Sequence, residues 1–336
     1  MGDTMRPLRS RRDVLRAARV LGGAAVSVGL GAAGARAATY PDHPVKIIVP
    51  FAPGGPTDML GRILATHLGE AIGGTVVVEN RPGAGGNIGM GIAAHSDPDG
   101  YALLLTTSAY VVNPSLYAKT PYDPFKDFAP IAELATSPNV ILADPKQGIN
   151  SIAELVARAK ASPGELNYGS AGIGTTPHLT GELLKIAAAI EMTHVPFSGS
   201  GPAVQAILSS TVQIAVVALP PAHPHIEAGA LKALAVTGPN RWFDLPDVPT
   251  MVELGYKDFI TDTFQGFLAP AKTPPSIVEQ LATKSIAIVK MPNIAEQLRN
   301  NGFEVLANGP EALRKRIEDE VPKWRDIIAK AGIKPV

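Results

Sequence analysis

The chain has 336 residues, a formal net charge of zero and no cysteine. Hydrophobic residues make up 46% and charged residues 18%, a balance that provides for a sizeable core and excludes a globally disordered chain. The lack of cysteine in the sequence excludes disulfides, thiolate chemistry and a lipid-attachment cysteine. A chain of this length is expected to form about two domains.

The N-terminal segment, residues 1–37, is predicted to be a cleaved export signal. Ser10–Arg16 resembles a twin-arginine signal, an uncharged stretch follows over Val20–Ala35, and Ala35-Arg36-Ala37 fits the small-x-small cleavage rule. We therefore expect a periplasmic protein that is soluble after cleavage. Residues 1–37 carry seven arginines and two aspartates, so the mature chain has a net charge of −5, which argues against a nucleic-acid partner.

From residue 45 onward the sequence alternates strand and helix patterns, which is typical of α/β proteins with mostly parallel sheets. The predicted strands are Val45–Phe51, Thr75–Glu79, Tyr101–Thr106, Val140–Ala143, Asn167–Ser170, Thr193–Phe197, Val212–Leu219, Lys232–Thr237 and Gln265–Pro270. The predicted helices are Thr57–Ala71, Asn87–Ser96, Ser151–Ala161, Thr176–Ala188, Pro202–Ser209 and Ala222–Ala228. The tail Pro275–Ala331 is predicted to be helical and without strands.

The pattern of strands and helices restarts after Asp144, which predicts two α/β lobes joined by two crossing segments near residues 142 and 264. The first lobe is predicted to comprise residues 40–141 and 265–336, and the second lobe residues 142–264. Ligands of such sheets bind outside the carboxyl ends of the strands, so we expect a ligand cleft between the lobes.

One octapeptide pattern occurs twice, as VPFAPGGP at Val49–Pro56 and as VPFSGSGP at Val195–Pro202. Each copy follows a strand pattern and opens a helix pattern, with proline suited to the first helical turn. A helix start without a bulky side chain exposes backbone N–H groups to an anion. The pattern is therefore consistent with two anion-binding turns, and equally with two ordinary strand-to-helix turns. Asp58, just after the first copy, is interpreted as an acceptor for the N–H groups of its own turn.

Two further loops are candidates for ligand contact. The loop Asn80–Asn87 is rich in glycine but lacks G-x-G-x-x-G and a P-loop lysine, so no nucleotide cofactor is expected, and Arg81 either pairs with an anion or caps a helix. The run Ser170–His178 places hydroxyls before a helix, where they can hold a carboxylate or serve only as a cap. We favour the interpretation that this run contacts a ligand.

Catalytic and metal sites are not predicted. The pair His223/His225 lacks a visible third ligand, so it is interpreted as surface histidines rather than a metal site. G-x-S-x-G is absent and no nucleophile–base pair can be nominated, so we expect a binding protein and not an enzyme, without a cofactor.

Several motifs together resemble the Bug family of periplasmic solute-binding proteins, the extracytoplasmic receptors of tripartite tricarboxylate transporters, over residues 40–336. The motifs are Pro50-Phe51-x-Pro53-Gly54-Gly55-x-x-Asp58, Glu79-Asn80-Arg81-Pro82-Gly83-Ala84-Gly85-Gly86-Asn87, Thr176-Pro177-His178-Leu179, His194-Val195-Pro196-Phe197 with Gly199, and Pro246-Asp247-Val248-Pro249-Thr250.

This resemblance implies a type II periplasmic binding fold that closes around a small carboxylate and delivers it to membrane subunits of a transporter, as a monomer. An alternative partner is the ectodomain of a histidine kinase, to which the protein would present its ligand. The contacts implied in the first lobe are Phe51, Ala52, Gly55, Asp58, Arg81, Gly85, Thr107 and Ser108, and those in the second lobe are Ser170, Thr175, Thr176, His178, Phe197 and Gly199.

The sequence departs from the family at three positions. Ser198 stands where members often have lysine, and Val217 and Gln213 stand where an aspartate is common. We expect these changes to make the cleft more apolar, to disfavour a ligand with an ammonium group, and to favour an aromatic or alkyl carboxylate.

Overall fold

The computed structural model describes residues 40–335 together with Gly2, so the predicted export signal, Gly2 aside, lies outside the described residues. Residues 43–336 form one unit by their contacts. None of the described helices is long and apolar enough to cross a membrane.

Strands in the described part of the chain form two sheets. They are β1 (Val45–Val49), β2 (Val76–Asn80), β3 (Ala102–Thr107), β4 (Phe128–Thr136), β5 (Asn139–Ala143), β6 (Asn167–Ser170), β7 (Thr193–Pro196), β8 (Ile214–Ala218), β9 (Lys232–Val236), β10 (Gln265–Pro270) and β11 (Glu304–Asn308). The first sheet has the order β11-β4-β10-β3-β1-β2, and the second has the order β7-β6-β8-β5-β9. In each sheet a parallel set meets antiparallel strands: β1 is parallel to β2 and β3, and β6 is parallel to β7 and β8.

Helices cover the sheets and bury their apolar residues against them. They are α1 (Pro56–Ile72), α2 (Asn87–Ala94), α3 (Ala109–Leu116), α4 (Ile152–Ala161), α5 (Thr176–Ala188), α6 (Ser200–Leu208), α7 (Leu219–Glu227), α8 (Pro275–Val289), α9 (Pro292–Asn300) and α10 (Pro310–Lys330). In α1 the residues Leu60, Leu64 and Leu68 recur every four positions and are fully buried, as an amphipathic helix requires. Each sheet with its helices forms one lobe.

Two crossing segments join the lobes and hydrogen-bond to each other. The chain leaves β4 at Thr136 and enters β5 at Asn139, and it returns just before β10. Ser137 and Thr263 exchange backbone hydrogen bonds of 3.2 and 2.9 Å between these crossings. The predicted lobe boundary at residues 141/142 falls inside β5, which belongs to the second sheet; the boundaries themselves stay a prediction.

The prediction of a strandless tail is wrong, because β11 pairs antiparallel with β4 at the edge of the first sheet. This strand, EVLAN, is short and lacks a run of β-branched residues, so nothing in the sequence distinguishes it from a helix connection. The sequence patterns also missed β4 and α3, which carry the chain from the first lobe to the first crossing.

Candidate functional site

The two copies of the octapeptide face each other across the cleft. The first turn, residues 50–55, joins β1 to α1, and the second turn, residues 197–199, joins β7 to α6. The amide of Ala52 donates to the carbonyl of Ser198 at 3.0 Å. A Cβ added at Gly201 would lie 2.9 Å from the carbonyl oxygen of Pro53. The two turns are therefore in direct contact, and the lobes are closed.

Both turns present the uncapped N-terminus of a helix. Gly55 precedes α1 and Gly199 precedes α6, and neither helix has a side-chain hydrogen bond at its cap. An added Cβ at Gly55 would lie 3.8 Å from the amide nitrogen of Ser200, so the two helix starts are close together. The first amides of a helix have no partner within it, and their dipoles favour negative charge. This arrangement is suited to bind an anion from both sides.

A small cavity lies between the two helix starts. The space open to the centre of a water molecule is about 20 Å³, which holds about one or two waters. None of the described residues that line the cavity is charged. The lining residues are Phe51, Gly55, Pro56, Thr57, Thr107, Ala171, Thr175, Pro177, Ser200 and Thr263. The walls thus combine hydroxyls with apolar groups.

The Thr57 hydroxyl is a buried polar group of this cavity without a hydrogen-bond partner. Thr57 is 1% exposed, and its Oγ1 has no hydrogen-bond partner in the structure. The neighbouring hydroxyls are engaged: Thr107 accepts from the amide of Ala109 at 3.2 Å, and Thr175 donates to the carbonyl of Gly172 at 2.7 Å. A buried hydroxyl without a partner is costly, so Thr57 gains a hydrogen bond when a polar ligand enters.

Of the residues implied by the family resemblance, six lie at this point. Phe51, Gly55, Thr107 and Thr175 line the cavity, and Ala52 and Gly199 belong to the turns that frame it. An added Cβ at Gly199 would lie 3.4 Å from the amide nitrogen of Ala52, which places these two turns within van der Waals contact.

Asp58 and Arg81 are occupied within the first lobe. The Asp58 carboxylate accepts from the amide of Gly54 at 3.0 Å, from Arg62 at 3.0 and 2.9 Å, and from the Asn80 side chain at 3.0 Å. Burial raises the pKa of Asp58, but these hydrogen bonds outweigh burial and hold the pKa below its ordinary value. Arg81 pairs with Glu79. Asp58 thus holds the shape of the first turn, as expected from the residues alone, and Arg81 neither caps a helix nor lines the cavity.

Of the next four predicted residues, three hold the lobes and crossings together, and the fourth, Phe197, packs within the second lobe. Ser108 donates to the carbonyl of Asp262 at 3.2 Å and accepts from the amide of Phe264 at 3.0 Å, so it anchors the return crossing. Thr176 shares a hydrogen bond of 2.7 Å with Thr263. The two others are Gly85, whose α-carbon packs against the second lobe at Gly172 and Ile173, and Phe197, which packs on Gly169.

Ser170 and His178 form a polar cluster behind the second turn. Ser170 Oγ and His194 Nε2 lie 2.7 Å apart, and the His178 and His194 rings lie 4.5 Å apart. Burial lowers the pKa of His178 to about 4. Burial, with the neighbouring His178 and Lys185, lowers the pKa of His194 to about 3. Both imidazoles are therefore neutral near pH 7, and His178 accepts from the amide of Gly174 at 3.4 Å.

The interpretation of the family departures is partly wrong. Val217 is fully buried in a hydrophobic cluster of the second lobe, and Gln213 accepts from the amide of Asn167 at 2.9 Å at the start of β6. Neither residue lines the cavity, so neither decides whether an ammonium group is accepted.

His223 is also not a surface histidine. It is 1% exposed, and its ring nitrogens lie 3.0 Å from Asp244 and 3.5 Å from Glu227. These three residues form the one group in the described part of the chain with the spacing of metal ligands. The two ring nitrogens face different carboxylates.

Thr57, Ser200 and Thr263 are the hydroxyl-bearing wall residues that the sequence prediction missed. Thr57 and Ser200 are hydroxyl residues in the first turn of α1 and α6, next to the repeated Gly-Pro pattern. That position could have been recognised, since a hydroxyl there stands beside the free amides. Thr263 lies on the crossing, and no local pattern marks it.

Comparisons with known proteins agree with this geometry. A family model described as the tripartite tricarboxylate transporter family receptor matches residues 60–333. The protein BugT of Bordetella pertussis is 36% identical over 305 residues, which are 90% of this chain and 94% of BugT. A protein from the tcbD–tcbE intergenic region of Pseudomonas sp. is 35% identical over 312 residues, 92% of this chain and 93% of that protein.

Solved structures are similar over nearly the same range. The periplasmic binding protein BugD is 37% identical with a TM-score of 0.86, over 88% of this chain and 100% of BugD. An R. palustris protein solved with adipate is 34% identical with a TM-score of 0.85, over 88% of this chain and 100% of that protein. MatC from Rhodopseudomonas palustris, solved with malate, is 30% identical with a TM-score of 0.83, over 86% of this chain and 100% of MatC. The chain therefore belongs to the tripartite tricarboxylate transporter receptor family, together with its Bug-named relatives, and has the two-lobe fold of periplasmic solute-binding proteins.

Proposed function

We propose that the protein is a periplasmic receptor that captures a small carboxylate between its lobes and delivers it to the membrane subunits of a tripartite tricarboxylate transporter. The observation that carries the proposal is the pair of uncapped helix starts that face each other around an uncharged, hydroxyl-lined cavity. Relatives solved with adipate and with malate support a carboxylate. The family and the structural neighbours are solute-binding proteins, which supports a role in binding rather than catalysis.

Binding is proposed to shift the lobes from an open to a closed population. A ligand that contacts both turns binds the closed state better and so favours it. In the closed lobes the Ala52 amide donates to the Ser198 carbonyl, and the cavity has room for about one or two waters. A carboxylate must therefore enlarge this cavity while the two turns stay in contact, and it gains the Thr57 hydroxyl as a partner.

The preferred ligand is a carboxylate without an ammonium group. An ammonium group needs an acidic or carbonyl partner when it is buried. The described cavity walls carry no acidic side chain, and the nearby Asp58 is saturated by four donors. The class then comprises di- and tricarboxylates and carboxylates with an aromatic or alkyl group.

The lobes of this receptor are proposed to be residues 40–141 with 265–336 and residues 142–264, subject to the placement of β5 in the second sheet. The mature protein is proposed to act as a monomer in the periplasm.

Thermal unfolding of residues 38–336, stripped of ligand by unfolding and refolding, tests the binding proposal. The screen contains di- and tricarboxylates, aromatic carboxylates and two matched pairs, malate with aspartate and adipate with 2-aminoadipate. A ligand at about 100 times its dissociation constant adds ~2.7 kcal/mol of stability. We expect a shift for one carboxylate class and none for the amino-acid partner of each pair.

Two results contradict the proposal. No shift across the whole panel refutes carboxylate binding, and consumption of a bound ligand by the pure protein refutes a receptor. Delivery is tested separately by uptake of the labelled ligand into cells with and without this chain, where we expect uptake to be lost.

A further inference from the structure

A second and larger cavity lies on the other side of the crossing segments. This back pocket is an open groove that is lined by both crossings (136–138, Ile260 and Asp262), by the loop 238–243 of the second lobe, and by Ala295, Arg299 and 303–305 of the first lobe. By the same measure as above its volume is about 690 Å³, against about 20 Å³ for the cleft cavity. Thr263 lines the cleft cavity, whereas Asp262 lines the back pocket. The back pocket is therefore a separate site, of a size typical for small-molecule ligands.

One wall of the back pocket combines a cation with aromatic rings. The Arg299 guanidinium lies 4.2 Å from the centre of the Phe243 ring, and Trp242 packs beside Phe243 at 5.5 Å. Among the described residues, no carboxylate lies within ion-pair distance of Arg299, while Arg241 is held by Glu253. Phe243 and Ile260 are 47% and 50% exposed. Large apolar side chains that are exposed together on a pocket wall mark a binding surface.

Two hydrogen-bond donors in the same walls have no acceptor. Ser137 is fully buried, and its Oγ has no partner; the indole Nε1 of Trp242 is also buried without one. A buried donor without an acceptor is costly, so an acceptor supplied by a ligand stabilises this wall. The acidic side chains of the pocket are paired or exposed: Asp262 accepts from Arg316 at 2.7 and 2.9 Å, a guanidinium that also pairs with Glu133 and Glu320, and Glu304 is exposed.

We propose that the back pocket is a second ligand site, for a small carboxylate that carries an aromatic ring. The carboxylate pairs with Arg299 and accepts from the Trp242 indole once the loop 238–243 adjusts to uncover it. The ring packs on Phe243 and Ile260. Arginine favours carboxylates, and aromatic walls favour a flat apolar group.

Phenylacetate is the probe for this site, followed by the fluorescence of the protein's tryptophans and by ligand-observed NMR. Trp242 is in the pocket wall, and the second tryptophan, Trp324, is a buried residue of α10 in the first lobe. We expect phenylacetate to change the fluorescence of the wild-type protein saturably and to leave the fluorescence of the Trp242→Phe protein unchanged. Arg299→Met and Phe243→Ala should each weaken binding by about tenfold, since each removes one main contact.

Two controls keep the result interpretable. Arg325→Met removes an exposed arginine that pairs with Asp326 on α10, away from the back pocket, and should bind phenylacetate like the wild type. Thr57→Val changes the cleft cavity and should also leave this binding unchanged. The Arg299 and Phe243 side chains are exposed on the surface, so their variants are expected to unfold at the wild-type temperature.

The proposal is overturned if phenylacetate does not bind, or if Arg299→Met and Phe243→Ala bind it as tightly as the wild type. Binding that Thr57→Val abolishes and the Arg299 and Phe243 variants leave intact places the probe in the cleft, and this too overturns the proposal. Either result leaves the cleft function untouched, because that function is tested by other residues.

Discussion

Gly201→Ala separates closure of the lobes from stability of the fold. Gly201 lies in the first turn of α6, and an added Cβ would lie 2.9 Å from the Pro53 carbonyl oxygen, 2.9 Å from the Gly54 carbonyl carbon and 3.0 Å from the Gly54 carbonyl oxygen. These are backbone atoms of the first turn, so they cannot swing aside. Alanine favours a helix over glycine by up to ~1 kcal/mol. The single lobe is therefore unharmed or stabilised, while the closed state is strained.

The magnitude follows from the strain of the closed state. Overpacking by one methyl group costs about 1–3 kcal/mol. If this cost falls only on the closed, binding-competent state, the apparent dissociation constant rises by about 5- to 150-fold. The turns must also separate by a few tenths of an ångström, which stretches the 3.0 Å hydrogen bond from Ala52 to Ser198.

Titration calorimetry with the carboxylate found by the screen, and thermal unfolding without ligand, measure the two quantities. Gly54→Ala is the matched control, because Gly54 has a φ of +82° and an added Cβ there meets nothing within 4 Å. It strains the same turn without touching the second lobe. Affinity of Gly201→Ala within twofold of the wild type would refute the role of this contact in closure.

Three further predictions concern the cleft and its surroundings. Thr57→Val should weaken ligand binding by about tenfold without lowering the unfolding temperature, since the hydroxyl has no partner in the ligand-free protein. Calorimetry measures the affinity and thermal unfolding the stability, and an unchanged affinity would exclude this hydroxyl as a ligand contact. Tyr117→Phe removes the 3.0 Å hydrogen bond to the Ile173 carbonyl across the cleft, so titration should show affinity reduced by about three- to tenfold, and no reduction would mean that this bond does not favour closure. His178 and His194 have pKa values lowered to about 4 and 3, so the unfolded chain binds more protons, and the free energy of unfolding should fall as the pH drops from about 6.5 towards 4, by up to ~1.4 kcal/mol per pH unit for each histidine. Denaturation at a series of pH values should show a weaker dependence of stability on pH in His194→Gln, and an equal dependence would contradict the lowered pKa of His194.

The fold class could be predicted from the sequence because its signals are local. Alternating strand and helix patterns, and proline and glycine at the helix starts, depend on neighbouring residues only. The lobe crossing could not be located to the residue, because β4 contains a proline and a glutamate and so lacks a clear strand pattern, and only Ser137 and Pro138 separate it from β5. The edge strand β11 is stabilised by its pairing with β4, which is distant in the sequence.

The sequence predicted the two turns of the candidate site, but not the side chains that line it. Both copies of the octapeptide do stand at helix starts, but that they meet depends on how the lobes close. Asp58 and Arg81 look like ligand residues in a motif, yet both are paired within the first lobe. Conversely, Thr263 reaches the cavity only because the two crossings lie side by side.

The small residues of this chain serve closure as well as anion binding. At three places where the lobes meet, a glycine of one lobe faces the other lobe: Gly201 faces Pro53 and Gly54, Gly85 faces Ile173, and Gly302 faces Pro220. An added Cβ at Gly302 would lie 3.2 Å from the Pro220 amide nitrogen, on the side of the hinge. Side chains at these positions would hold the backbones apart, so the turns could not share one cavity. The glycines that the sequence pattern ascribes to anion binding are thus explained in part by the approach of the two lobes, which any ligand between them also requires.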